Sequence, residues 1–488
     1  MVSARFLCLD FLCASYYDTH QYAVKKIGKE KGERMKRNQP RIQLSDHFTY
    51  GRLLRFVLPS IVMMVFTSMY TIVDGLFVSN FVGKTPFAAL NLIMPLLMIL
   101  SAAGFMIGTG GSALVAKVLG EGDEKRANAL FSLLVLTALI AGIVLSVSGM
   151  IAVRPVAAAL GAGDEMIDYC VLYGRICMIS LPAFLLQNTF QSFLVVAQKP
   201  GLGLAVMIGA GVTNMTLDAL LVGVLGCGLA GAASATVMSE FVGGLLPLFY
   251  FLRKNDSLLH LTRPSLDFRA FRRACANGLS ELMSNLSMPM VNILYNLQLI
   301  RLVGADGVAA YGVIMYVNFV FISIFLGFSI GSSPIVSYHY GAQNRAELRS
   351  LFRKSVTIVC VFGVCMAVLA QVLSRPLALL FVGYDADLCE LTRHGLRLFS
   401  MAFLLSGTNI FGSALFTALN NGLISAVISF SRTLLFQCAA VLLLPILLGL
   451  DGVWLSIVAA EVCTAAVTVT FFVTQRKRYF SEKRETGT

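Results

Sequence analysis

From Leu53 onward the chain alternates long apolar runs with short polar breaks. A bilayer core is about 30 Å thick, which takes roughly 20 residues of helix to cross. Twelve runs satisfy this: 53–82, 87–118, 129–152, 168–197, 202–226, 229–252, 274–302, 307–339, 352–373, 392–419, 423–447 and 452–475. The pattern predicts an all-α polytopic membrane protein of twelve transmembrane helices. Most runs exceed the minimum length, so tilt or kinking is expected. Pro59, Pro95, Pro182, Pro289, Pro334 and Pro445 lie inside runs, and each removes a backbone donor.

The polar exceptions inside these runs carry the candidate chemistry. The first run, LLRFVLPSIVMMVFTSMYTIVDGLFVSNFV, holds Asp74. A carboxylate inside a membrane helix costs about 2.5–3.5 kcal/mol on insertion scales, so such residues face a protein interior or a water-filled cavity. Reaching the interface by snorkelling is the plainer alternative, but Asp is short and the loop at Gly83 and Lys84 lies well along the helix. The fifth run contains NMTLDALL, placing Asn214 and Asp218 four apart on one helix face. The sixth contains GAASATVMSE, placing Thr236 four before Glu240, and the fourth carries Asn188. Counted from the loops, Asp74, Asp218 and Thr236 sit at similar depth. Carboxylates, amide and hydroxyl at one level form an all-oxygen set suited to a hard cation, with Na⁺ at Asp74, Asn214 and Asp218. Two carboxylates in low dielectric also hold a proton well, so the residues leave Na⁺ and H⁺ both open. Interhelical hydrogen bonding is the structural alternative for Asn214 and Thr236.

An internal repeat organises the chain. Gly83 aligns with Gly304 and Gly120 with Gly341 at one offset (304 − 83 = 221). At the same offset RPVAAAL at Arg154 meets RPLALLF at Arg375, Gly174 meets Gly395, Asn188 meets Asn409, and GLAGAASATVMSE at Gly228 meets GLDGVWLSIVAAE at Gly449. A local shift pairs GFMIGTG at Gly104 with GFSIGSS at Gly327. Six helices per repeat give both halves the same membrane orientation, the parallel-repeat arrangement of transporters. The expected organisation is a tail at 1–50, a first six-helix lobe at 51–252, a linker at 253–273, a second lobe at 274–476 and a tail at 477–488. The second lobe has Tyr295, Ala439 and Ile457 where the first has Asp74, Asp218 and Thr236, which confines an ion site to the first lobe. The second lobe carries Glu281, Asn409, Arg432 and Glu461 instead, with Glu461 the repeat mate of Glu240. These, with Glu240, are candidates for substrate binding or coupling. Glu281 reads equally well as a solvated first-turn residue.

Composition supports the membrane reading. Of 488 residues, 57% are hydrophobic and 13% charged, with mean hydropathy +0.78, against about 25% charged in soluble domains. The net charge of +12 does not indicate nucleic acid, because the basic residues sit in short loops. With the N-terminus inside, the tail, even-numbered loops and C-terminus hold 30 of the 38 Lys and Arg, placing both termini in the cytoplasm. The 11 cysteines show no CxxC pairing, and no catalytic or cofactor motif is present, so neither a metal site nor an enzyme is expected. The basic run KKIGKEKGERMKR lies in an expected disordered tail, where Met35 is an alternative start. The 34 Phe, 20 Met and 15 Tyr suit an adaptable apolar binding surface, although such residues also fill cores and face lipid.

Two six-helix repeats with TIVDGLFV in the first span, GEGDEKRANALF after the second, NMTLDALL in the fifth and GLAGAASATVMSE in the sixth resemble the MATE (multidrug and toxic compound extrusion) family over residues 45–478. The resemblance implies V-shaped lobes, alternating access, and a monomeric antiporter of the cell membrane that exports bulky, often cationic compounds in exchange for Na⁺ or H⁺. Family ion-site positions fall on Asp74, Asn188, Asn214, Asp218 and Thr236. Beyond the coupling cation no cofactor is implied; the partners are membrane lipid and drug-like small molecules. The alternative is a lipid-linked oligosaccharide flippase of the same superfamily, which would line its cavity with Arg and Lys for pyrophosphate. Here only Arg432 lies well inside a span, with Arg175 and Arg397 near outer ends.

Overall fold

A computed structural model describes residues 42–264 and 267–480, and every regular element among them is helical. The first half comprises α1 (Tyr50–Phe81), α2 (Lys84–Gly120), α3 (Glu124–Ala159), α4 (Asp164–Val196), α5 (Pro200–Leu217, continued by a π-helical stretch Asp218–Val224) and α6 (Gly228–Leu252). A short amphipathic α7 (Phe268–Asn277) leads into the second half: α8 (Leu279–Leu302), α9 (Ala305–Gly341), α10 (Arg345–Val382), α11 (Ala386–Ser400), α12 (Phe403–Ala418), α13 (Gly422–Phe430, continued by a π stretch Ser431–Phe436), α14 (Gln437–Leu448) and α15 (Leu450–Thr474). α16 (Arg476–Phe480) closes the described chain.

The repeat is visible in the backbone. Asp123 and Asn344, repeat mates, cap α3 and α10 by accepting the Arg126 and Glu347 amides at 3.0 and 3.1 Å. Gly83 and Gly304 both turn at positive φ, +97° and +80°, where a side chain would be strained. Ten described helices are long and apolar enough to span a membrane, and the α11–α12 pair, bent by 48°, makes an eleventh. α8 completes the twelve and is the polar one, carrying Glu281, Asn285, Asn292 and Asn296.

Several expected boundaries shift. The runs expected at 129–152 and 352–373 extend to Glu124–Ala159 and Arg345–Val382, passing through Pro155 and Pro376. Each proline removes one donor, and the surrounding apolar residues keep the ends helical. The single run expected over 392–419 is two helices broken near Met401. The expected linker at 253–273 runs into α7, which crosses its far boundary and whose cap Asp267 accepts from Ala270 N at 3.0 Å; that bond holds the Asp267 carboxyl below the usual carboxylate range. At the C-terminus Tyr479 and Phe480 are buried, with Phe480 stacked on Phe352 at 4.9 Å. The basic run KKIGKEKGERMKR and the alternative start lie outside the described residues.

The two halves meet at the membrane side that carries the basic loops. α1 packs along α9, and α7 and α8 along α2. A Cβ on Gly120 would stand 2.0 Å from the Tyr338 carbonyl oxygen, and one on Gly341 only 1.9 Å from that of Lys117. A Cβ on Gly110 would stand 2.1 Å from the Ala274 carbonyl oxygen, and one on its repeat mate Gly331 2.9 Å from Val57 Cβ. The closure is therefore made by glycines packed against backbone at Gly110, Gly120 and Gly341 and against Val57 at Gly331, the same positions of both repeats.

The segment before α1 ties this side together. Leu44 and Phe48 are fully buried. The Phe48 amide donates to Glu347 Oε1 at 2.9 Å, His47 Nδ1 lies 2.5 Å from Glu347 Oε2, and Lys354 Nζ donates to the Phe48 carbonyl. A residue of the second half thus holds the chain entering the first. A buried hydrogen bond to a charged group contributes about 1.5–3 kcal/mol. Glu347→Ala is expected to speed amide exchange at Phe48 by roughly tenfold or more, measured by hydrogen–deuterium exchange of full-length protein. Unchanged protection of residues 44–49 would refute the tie.

Candidate functional site

The site is built on α1, α4, α5 and α6, which pack together in the first half. α1 brings Asp74 inward, partly accessible. α5 brings Asn214 and Asp218 one turn apart, with Asp218 fully buried. The helix widens there: the π stretch begins at Asp218 and includes an i→i+5 bond from Leu225 N to Leu220 O at 2.8 Å. Such turns often sit at functional sites, because the extra residue breaks the regular ladder.

The Asp74 and Asp218 carboxyls are neighbours, with Asn214 beside Asp74. Asp74 Oδ1, Asn214 Oδ1 and both carboxyl oxygens of Asp218 are buried without a hydrogen-bond partner. Buried polar atoms are ordinarily satisfied, and unsatisfied ones mark strain, catalysis or a missing ion or water. All four are oxygens and pure acceptors in the ionised state. They fit what a hard cation or a proton would complete. Among the described residues no group of three or more His, Cys, Asp or Glu could hold a metal ion, so the set does not suit a transition metal.

The remaining expected ligands are placed differently. Thr236 Oγ1 donates to its own helix at Ala232 O, 3.1 Å, and no hydrogen bond joins it to the aspartates. Asn188 is buried with its amide nitrogen unpartnered, likewise with no bond to the pair. Glu240 receives the Ser180 hydroxyl at 2.5 Å. The Tyr70 hydroxyl lies within electrostatic reach of Glu240, Asp74 and Gln187. Tyr70 was legible in principle, because it sits one turn before Asp74 on the same face. Ser180 and Gln187 carry no local signal and are recruited only by packing of α4 on α6.

In the second half, Arg432 lies in the Ser431–Phe436 π stretch and finds a partner the sequence could not name. Its Nε and Nη2 reach Glu461 Oε1 at 2.8 and 2.7 Å. Asn409 Nδ2 donates to Glu461 Oε2 at 2.6 Å, Ser406 Oγ to Oε1 at 2.9 Å, and Thr468 Oγ1 to Asn409 Oδ1 at 3.1 Å. Glu461 is almost fully buried and well satisfied. Glu281, on the first turn of α8, lies within electrostatic reach of Arg432. Glu281 is half-buried there, so it keeps its first-turn position and also faces the charged group.

The MatE family model matches residues 59–220 and 282–442, once in each half. The chain is 24% identical over 437 residues to the multidrug export protein MepA of Staphylococcus haemolyticus, covering 89% of this chain and 95% of that protein. It is 21% identical over 434 residues to MepA of Staphylococcus aureus, covering 88% and 94%. Among solved structures it resembles a MATE crystal structure in complex with MaL6, at TM-score 0.86 and 22% identity over 91% of this chain and 100% of that one. It also resembles the outward-facing conformation of a multidrug resistance MATE family transporter of the MOP superfamily, at TM-score 0.85 and 22% identity, covering 91% and 99%.

Proposed function

The chain belongs to the MatE family, a family of transporters and not of enzymes, and from that premise we propose that it is a cation-coupled multidrug exporter of the cell membrane. The relatives whose names record multidrug export align over nearly their whole length, which supports the substrate class. The observation that carries the coupling is the set of four orphaned oxygens on Asp74, Asn214 and Asp218. Asp74, partly accessible, would be the entry for Na⁺ or H⁺, and Asp218 the buried end of the site.

Neutralising two neighbouring carboxylates changes what α1 and α5 gain by packing together. That gives the cation a different affinity for the two conformations, the requirement for coupling. The drug would leave as α1 repacks. The basic side is read as cytoplasmic from its Lys and Arg, so closure there leaves the opposite side for release. Asn188 and Thr236 remain proposed contributors in a repacked state. No cofactor is needed beyond the cation, and the chain is proposed to act as a monomer.

The flippase reading loses support at Arg432, because its charge is already matched by Glu461. The test is efflux of a fluorescent cationic dye from cells or inverted vesicles under a Na⁺ gradient and, separately, a pH gradient. Export driven by one gradient is the expected result. Export under neither, with movement of a lipid-linked sugar, would overturn the proposal.

A further inference from the structure

Glu240 and Glu461 hold the same place in the two repeats and are stabilised in different ways. Each receives a serine hydroxyl from the neighbouring helix, Ser180 at 2.5 Å and Ser406 at 2.9 Å. Glu461 also receives a guanidinium and the Asn409 amide. Among the described residues no Lys, Arg or His is paired with Glu240. Tyr70 from α1 and Tyr173 and Cys177 from α4 lie within electrostatic reach of it, and of Asp74 as well. Asn188, the repeat mate of Asn409, is 94% buried by its 6% exposure, yet its amide nitrogen has no partner. Gln187 Oε1 is orphaned too, 2.3 Å from where a Cβ on Gly243, one turn past Glu240, would stand.

The serine geometry says which ligand is missing. A hydroxyl has one hydrogen. Ser180 Oγ lies 2.5 Å from Glu240 Oε2 and 3.0 Å from the Cys177 carbonyl oxygen, two acceptors if Glu240 is ionised. If Glu240 carries a proton, it donates to Ser180 Oγ and Ser180 donates to Cys177, so both contacts are satisfied. Glu240 is half-buried, and a carboxylate partly withdrawn from water with no counter-charge is stabilised by taking a proton in this way. Ser406 faces the same choice with Ala402 O at 2.9 Å, but Glu461 keeps its other donors.

We propose that Glu240 is a second cation site of the first half, separate from the Asp74–Asp218 pair and taking a proton, and that Arg432 is a tethered stand-in for that cation in the second half. This rests on the reading of the first half as the ion-coupled one. The repeat would then have begun with two equivalent carboxylates, and the guanidinium would have removed one of them from the cycle. Tyr70, in reach of both Glu240 and Asp74, links the two sites of the first half.

The test is the infrared carboxylic-acid stretch of purified full-length protein in lipid at neutral pH. Glu240→Gln is expected to remove one carboxyl's share of that absorption, and Asp74→Asn with Asp218→Asn together to leave that share in place. A Glu240→Gln spectrum identical to the parent's would overturn the proton site. Arg432→Gln is expected to add an absorption that Glu461→Gln in the same background removes; no gain would overturn the stand-in. The spectra require no transport, so absent dye efflux would count against the exporter reading alone.

Discussion

Asp74→Asn is expected to abolish gradient-driven dye export while the protein remains in the membrane. The substitution preserves size and removes the charge of the more accessible carboxyl of the pair, on the residue whose Oδ1 is buried and unpartnered beside Asp218. A carboxamide still offers an oxygen to a cation, but it cannot carry a proton or a full negative charge. Driving a two-state equilibrium from 1:99 to 99:1 takes a difference in affinity of about 10⁴-fold, or about 5.5 kcal/mol. Losing most of that leaves the conformations uncoupled from the gradient, and efflux should fall to the level of cells without the transporter. Insertion should not suffer, because an uncharged side chain enters the bilayer more easily. The measurement is dye efflux normalised to immunodetected membrane protein, and full export by Asp74→Asn would remove the central role given to this residue.

Gly341→Val is expected to hold the basic side open. The nearest atom to an added Cβ is the Lys117 carbonyl oxygen at 1.9 Å, and the next are its C and Cα at 2.8 and 3.1 Å. These are backbone atoms, so no side chain can swing aside. Overpacking of this kind costs about 1–3 kcal/mol or more. Here the cost falls only on the state in which the halves touch, so it appears as a population shift and not as general instability. Spin labels at the exposed positions Glu124 and Arg349, in a cysteine-free background, should report a longer distance in Gly341→Val than in the parent. Gly312→Val is the control on the same helix, where nothing lies within 4 Å of an added Cβ. Equal distances in both variants and the parent would show that the glycine contact does not govern closure.

Features carried by local pattern were readable from the residues alone. Twelve apolar runs specify helices because a chain in lipid must satisfy its own backbone. The constant offset specifies two halves because each half repeats the same caps and turns, as Asp123 and Asn344 do. Asp74 and Asp218 stood out because a carboxylate in an apolar run is costly to insert, and Asn214 because it sits one turn from Asp218 on the same face. Their association in the structure required only that α1 and α5 pack.

What depended on contacts distant in sequence was hidden. Glu461 lies 29 residues from Arg432, Ser180 60 residues from Glu240, and Phe48 299 from Glu347; no periodicity connects such pairs. The π turns at Asp218 and Ser431 and the 48° bend near Met401 carry no local signature, so apolar runs such as DALLVGV showed no sign of them. The glycines at 120 and 341 were visible as repeat mates, yet only the packed structure shows that each faces the other half's backbone. By itself, then, the sequence determined the helices, their duplication and the charged groups they carry, since these follow from local hydrophobicity and spacing. Tertiary structure alone decided which carboxylate received a guanidinium and which did not, because that depends on where two helices place side chains that no sequence spacing relates.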